Sequence, residues 1–62
     1  MNIIKGTEVE YTSPYYPEIW VKGTVGKDVF LKGTMNSGHG MTWDAEKHFF
    51  DKDGKLRNIR HV

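Results

Sequence analysis

Short runs of alternating polar and apolar residues, separated by glycines, are the feature that most limits the fold of this chain. Residues 7–12 read TEVEYT, so the β-branched and aromatic members fall on one side of an extended strand and both glutamates fall on the other. Seven glycines, two tryptophans, three tyrosines and three phenylalanines accompany a single alanine. This composition disfavours a helical bundle and favours short strands joined by tight turns.

The same pattern predicts further strands. Residues 13–17, SPYYP, end the first strand because each proline fixes its own backbone and restricts the residue before it. Later strands are predicted over residues 19–25, 29–35, 41–43 and 48–50, with a closing segment over 55–61. Turns are predicted at residues 26–28, 44–47 and 51–54, and a glycine-rich loop at 36–40. The clearest hairpin is the one that turns at residues 26–28, Gly-Lys-Asp.

Five or six short strands predict one small all-β domain over residues 1–62. We expect an SH3-like barrel or a strongly bent antiparallel sheet, since closure removes vulnerable strand edges. The alternative is an open meander completed by a second copy. The chain has 62 residues and no cysteine, so its core is small and no disulfide stabilises it. We therefore also expect a homodimer.

The pattern aliphatic–Lys–Gly–Thr occurs three times, at residues 4–7, 21–24 and 31–34. The unequal spacing excludes a solenoid or propeller repeat, and no copy has the second glycine and Lys-Ser/Thr of a phosphate-binding loop. We interpret each glycine as a bend or bulge in a strand. The alternative is an anion site formed by the three lysines, Lys5, Lys22 and Lys32.

The sequence offers little for catalysis or metal binding. It has no cysteine nucleophile and no Gly-x-Ser-x-Gly motif, and His39, His48 and His61 share no zinc-ligand spacing. Residues 51–54, DKDG, read as a turn rather than a calcium loop, because the glycine and glutamate of that loop are not at the required positions. We expect neither an enzyme nor a cofactor.

The sequence also contains no hydrophobic segment of the kind used for export or membrane insertion. The first residues lack the apolar core of a signal peptide, and no stretch approaches the roughly 18 apolar residues of a membrane span. We expect a cytoplasmic protein without a membrane partner.

Aromatic and cationic side chains are the candidates for contact with a partner. Tyr15 and Tyr16 lie in the proline-flanked segment, and exposed aromatic side chains with polar tips are common in binding surfaces. Either the two tyrosines form such a surface or they cap an open end of the barrel, and one or both tryptophans fill the core. The predicted partner-binding residues are Tyr15, Tyr16, Trp20, His39, Trp43, Lys55, Arg57 and Arg60.

Residues 5–11, KGTEVEY, and 20–25, WVKGTV, resemble small SH3-like β-barrel proteins encoded by bacteriophages. Residues 41–44 and 50–59 are similar in style. The resemblance implies an SH3-like fold and interference with a host protein or defence system, in the cytoplasm of the host bacterium. It carries over no site residues, since these proteins share no site motif.

Taken together, these features predict a non-enzymatic binding module. We expect it to bind and inhibit a host protein or to sequester a small anionic ligand. The alternative is a nucleic-acid-binding barrel, in which tryptophan or tyrosine stacks on bases and four C-terminal cations contact phosphates. Those cations are Lys52, Lys55, Arg57 and Arg60.

Overall fold

A computed structural model of the chain describes residues 3–36 and 40–62. Within these ranges it contains five strands and one short helix. They are β1 (Glu8–Ser13), β2 (Tyr16–Thr24), β3 (Thr34–Asn36), β4 (Thr42–Asp44), α1 (Ala45–Phe49) and β5 (Ile59–His61). The strands of six, nine, three, three and three residues account for more than a third of the chain, which confirms the all-β class.

The strands form two antiparallel sheets. β1 lies at the centre of a three-stranded sheet, between β2 and β5, and β3 pairs with β4 in a separate two-stranded sheet. Residues 3–36 and 40–62 do not close into a barrel, so the closed form of the expected architecture is not what this chain adopts. No helix in the described part of the chain is long and apolar enough to cross a membrane.

The main hairpin joins β1 to β2, through a turn at Pro14 and Tyr15. Ser13 pairs with Tyr16, whose backbone N–H also donates to the Ser13 hydroxyl at 3.2 Å. β2 therefore begins at Tyr16, three residues earlier than predicted. The register shifts beyond this pair, because the four residues between Tyr16 and Val21 stand opposite Thr12 alone. The proline-rich segment thus forms a tight turn with a bulge rather than a loop.

The hairpin predicted at residues 26–28 is wrong, although a turn does form there. The Thr24 carbonyl accepts hydrogen bonds from the backbone N–H groups of residues 27, 28 and 29, and the Asp28 carboxylate accepts from the Thr24 N–H. These bonds use the edge of β2 that a returning strand would need. Only a single bridge follows, between Val25 and Val29, and the predicted third strand shortens to Thr34–Asn36.

The turn predicted at residues 44–47 and the strand predicted at 48–50 are also wrong, because a helix occupies Ala45–Phe49. Asp44 caps its N-terminus by accepting from the Lys47 N–H at 3.3 Å. At the other end, Arg57 Nη2 donates to the Lys47 carbonyl at 2.7 Å, and Asn58 Nδ2 donates to the His48 carbonyl at 2.9 Å. Side chains ten residues away thus satisfy the carbonyls that a helix end leaves unpaired.

One apolar core lies between the two sheets and the helix. Its buried members are Val9, Val25, Val29, Met35, Trp43, Ala45, Phe49 and Ile59. The helix contributes through Ala45 and Phe49, which are fully buried, so its short length does not prevent it from closing the core.

The glycines of the three Lys-Gly-Thr copies have different structural roles. Gly6 and Gly33 have φ angles of 93° and 88°, which confirms their interpretation as bends, here just before β1 and β3. Gly23 lies inside β2 and has no such angle. A Cβ atom there would come within 2.7 Å of Val29 Cγ2 and 3.1 Å of Tyr11 Cε1, so this glycine permits close packing.

Candidate functional site

Strand β2 exposes a row of large apolar side chains. Ile19 is 57% exposed, Val21 46% and Tyr16 45%, and Trp20 is exposed as well. β2 is the outermost strand of its sheet, so no described strand covers its far side. An exposed apolar patch, here formed by Tyr16, Ile19 and Val21, is typical of interaction sites.

A groove of about 320 Å³ follows one face of this row, and we call it the β2 groove. Its lining is mostly apolar or aromatic and carries no formal charge. The lining residues are Tyr11, Ser13, Tyr16, Ile19, Val21, Asn36 and Trp43. A volume near 300 Å³ is at the lower end of ligand sites in proteins. The groove therefore suits a small apolar group.

The floor of the β2 groove is held by the core. Trp43 is 7% exposed and packs edge-on against Phe49, with ring centres 5.4 Å apart. Tyr11 lies opposite Val21 in the β1–β2 pairing and packs edge-on against the same phenylalanine. Burial raises the pKa of Tyr11, and the nearby carboxylate of Asp28 acts in the same direction. The floor is thus a packed, neutral aromatic layer.

The indole N–H of Trp43 is the one polar side-chain atom that is buried without a hydrogen-bond partner in residues 3–36 and 40–62. Buried donors are nearly always paired in proteins. Trp43 was predicted either to fill the core or to contact a partner. It fills the core, and its ring also lines the β2 groove.

The two neighbouring tyrosines have separate positions. The Tyr15 hydroxyl donates to the Thr42 carbonyl at 2.9 Å and so ties the β1–β2 turn to β4. Tyr16 lines the β2 groove. Each is 45% exposed, so neither is enclosed as a barrel cap would be.

Trp20 lies away from the groove and stacks with Arg60 from β5. The Arg60 guanidinium carbon is 3.8 Å from the centre of the Trp20 ring, and Arg60 Nε is 3.2 Å from Glu10 Oε1. Trp20 therefore does not join the other predicted aromatic residues around one site.

The basic residues of the C-terminal segment are divided between different surfaces. Arg57 lines a wide, open concavity of about 840 Å³ beside the helix. Its charged lining residues are four cations and three carboxylates: Lys32, Lys47, Lys52, Arg57, Asp44, Glu46 and Asp51. Lys55 is exposed and lies outside this lining, and Arg60 faces Trp20. No single strongly basic face results among the described residues.

The lysines of the three Lys-Gly-Thr copies do not converge. Lys32 lines the concavity beside the helix, and Lys22 lines a different surface with Glu8 and Asp28. Lys5 lies over the turn, where its Cγ would be 2.7 Å from a Cβ at position 26. This arrangement does not favour the alternative interpretation, an anion site formed by the three lysines.

His48 joins the helix to β1. Its Nε2 lies 2.8 Å from the Thr12 carbonyl oxygen, which can only accept, so Nε2 donates. The Thr12 hydroxyl lies 3.2 Å from the same nitrogen. Burial lowers the pKa of His48, the bond to Thr12 opposes this shift, and the charge of Arg57 adds to it. The burial of His48 thus favours its neutral form, and its bond to Thr12 gives it a structural role.

Much of the groove was not predicted from the sequence, and one predicted residue cannot be placed. His39 lies outside the described residues. Ile19 and Val21 were assigned to a strand but not to a site, since their exposure follows from the edge position of β2. Tyr11 reaches the groove through the alternation that predicted β1.

Comparison with known proteins identified no relative, so the interpretation of the site depends on its geometry. No family model, curated protein or solved structure matches this chain.

Proposed function

We propose that this chain is a non-enzymatic binding module that holds an apolar segment of a partner protein in the β2 groove. The observation that carries this proposal is an uncharged groove, lined mostly by apolar and aromatic residues, along an exposed edge strand. Binding surfaces use tyrosine and tryptophan because these side chains give large contact areas and lose little conformational entropy.

The lining of the groove defines the class of its occupant. An anion or a nucleic acid requires cations or several hydrogen-bond donors, and the groove has no charged lining residue among those described. The polar side chains in its lining, those of Tyr11, Ser13, Tyr16 and Asn36, carry no formal charge. One or two leucine- or phenylalanine-sized side chains match the groove better than a phosphate does.

The Tyr15 tether supports a preformed site. Its bond to the Thr42 carbonyl joins the β1–β2 turn to the strand that carries Trp43. The two walls of the groove are thus connected directly as well as through the core. A preformed groove binds more tightly because less ordering accompanies binding.

A sequence resemblance suggests the source of the partner. The resemblance of residues 5–11 and 20–25 to phage-encoded small β-barrel proteins favours a protein of the host bacterium as the partner. Binding and inhibiting such a protein is the function that we propose. Sequestration of an anion has less support, because the three repeated lysines are dispersed.

Nucleic-acid binding is also less favoured, because two of the candidate cations already make contacts within the chain. Arg57 donates to carbonyls at the helix end, and Arg60 is stacked on Trp20 and paired with Glu10. These two cations and the exposed tryptophan, which would hold a nucleic acid, are therefore engaged with the protein itself.

Affinity capture from a bacterial lysate with two matched variants tests the proposal. Tyr16→Ser removes a side chain from the groove, whereas Ile4→Ser removes an exposed side chain, 70% accessible, that does not line it. We expect one protein to be retained by the native chain and by Ile4→Ser and to be lost with Tyr16→Ser. Its retention should change little with salt, unlike phosphate binding. Equal capture by both variants, or capture of nucleic acid that weakens steeply with salt, would contradict the proposal.

A further inference from the structure

The outer edge of β2 is open along most of its length. The Val25 N–H donates to the Thr7 carbonyl at 3.0 Å, which directs the backbone of Val25 toward β1. Backbone direction alternates along an antiparallel strand, so Gly23 and Val21 also face β1, and Lys22 and Thr24 face outward. At Thr24 the edge is closed by residues 27–29. From Lys22 back toward Tyr16, no described strand lies beside it.

Side chains along this open segment alternate between two environments. Ile19 and Val21 point into the β2 groove. Trp20 lies on the opposite face, where it meets Arg60, and Lys22 pairs in register with Glu10. Residues 17–20 stand opposite Thr12 alone, but they remain extended within β2. The alternation of an extended chain then places the side chain of Glu18 on the same face as Trp20 and Lys22.

The charges of residues 18–22, EIWVK, are arranged symmetrically about Trp20. If two such segments pair antiparallel with Trp20 opposite Trp20, each Glu18 stands opposite a Lys22 of the other copy. Ile19 then stands opposite Val21. Opposite charges directly across a strand pair stabilise it, and like charges destabilise it.

Other registers lose this complementarity. If the centre of symmetry moves by one residue, to Ile19 or Val21, Glu18 no longer stands opposite Lys22. Moving it by two residues places Glu18 opposite Glu18 or Lys22 opposite Lys22. The charges therefore select one register out of the neighbouring ones.

We propose that two copies of this chain associate through β2, antiparallel and centred on Trp20, to form one continuous six-stranded sheet. The outward backbone groups of residues 18, 20 and 22 pair with those of the second copy. Pro17 lies outside the paired residues 18–22, so its missing backbone N–H is not needed there. The surface is self-complementary, as a two-fold symmetric interface requires. This inference does not depend on the groove having a partner.

Charge reversal with complementation tests the register. Glu18→Lys places two lysines opposite each other across the interface, and Lys22→Glu places two glutamates opposite each other. Mixed in equal amounts, the two variants should form a heterodimer in the proposed register.

 One variant carries lysine at both positions 18 and 22 and the other carries glutamate at both, so the heterodimer pairs lysine with glutamate at both positions, and like charges meet only in dimers of one variant.

Lys27→Glu is the matched control for this experiment, because Lys27 is exposed in the turn after β2 and the charge change is the same as in Lys22→Glu. Sedimentation equilibrium at about 100 μM reports the association. We expect the native chain and Lys27→Glu to dimerise. Each β2 variant alone should associate at least about tenfold more weakly, and the mixture should recover a heterodimer.

A monomeric native chain at this concentration overturns the proposal, as does unchanged association of both variants or a mixture that associates no better than its components. Lys22→Glu also meets Glu10 within one chain, so circular dichroism checks its folding. If it unfolds, Glu18→Gln and Lys22→Gln replace the pair, and each should weaken association without repulsion.

Discussion

The guanidinium of Arg60 lies over the ring of Trp20, 3.8 Å from its centre, and its Nε lies 3.2 Å from Glu10 Oε1. This contact connects the two outer strands of the three-stranded sheet across β1. It also joins a cation and an aromatic residue that were both predicted to bind a partner. Their pairing with each other is a structural contact of the outer sheet face.

Arg60→Ala should lower the free energy of unfolding by about 0.5–1 kcal/mol, because an exposed cation–π contact and a surface ion pair each contribute modestly. Urea denaturation followed by circular dichroism measures the change. Lys55→Ala is the control, since Lys55 is exposed and no side-chain contact of it is described. A loss with Arg60→Ala no larger than with the control would show that the stacked geometry adds nothing to stability.

Gly23→Ala should destabilise the chain by about 1–3 kcal/mol, because the added methyl group overlaps the Val29 side chain and presses on Tyr11. Gly33→Asn is the comparison. Gly33 has open space around it, and asparagine tolerates positive φ better than other side chains. The melting temperature of Gly23→Ala should therefore be well below that of Gly33→Asn. The reverse order would refute the distinction between a packing glycine and a bend glycine.

Tyr15→Phe should lower the free energy of unfolding by about 0.5–1.5 kcal/mol, since it removes the hydrogen bond to the Thr42 carbonyl while it keeps the ring. The exposed-site variant Lys55→Ala serves as the control in the same urea titration. If Tyr15→Phe is as stable as the native chain, the tether between the sheets does not contribute.

Stability should decrease as the pH falls below about 6.5, and His48 should cause part of this decrease. Its pKa is lowered in the folded chain, chiefly by burial, so the unfolded chain binds the proton more readily. The contribution of His48 is therefore complete above the unfolded value of about 6.5 and is lost at lower pH. His48→Gln should flatten the dependence of the melting temperature on pH between about 7 and 5. Parallel pH profiles for the native chain and His48→Gln would contradict this assignment.

Local sequence predicted β1 and most of the turns because those features depend on neighbouring residues. The alternation around Val9 and Tyr11 appears in β1, and Asp51 forms its turn by accepting from the backbone N–H groups of residues 53 and 55. For these features, the residues within about five positions were sufficient.

The errors arise where distant residues decide the structure. The helix at Ala45–Phe49 depends on Arg57 and Asn58, which satisfy its last carbonyls from ten residues away. One error has a local cause: the hairpin partner of β2 was misassigned because the Asp28 side chain, four residues from Thr24, closes the strand edge there. The β2 groove was missed because the exposure of Ile19 follows from the position of its strand in the sheet.

Site-specific photo-crosslinking tests the proposed binding surface most directly. A benzophenone side chain replaces Ile19, in the β2 groove, or Lys47, in the mixed-charge concavity beside the helix. Irradiation in a bacterial lysate, followed by mass spectrometry of the adducts, identifies what lies against each position. We predict adducts from position 19 to an apolar segment of one host protein, and none to that protein from position 47. Adducts to a host protein or a nucleic acid from position 47 alone, with none from position 19, would contradict the assignment of the β2 groove as the binding site.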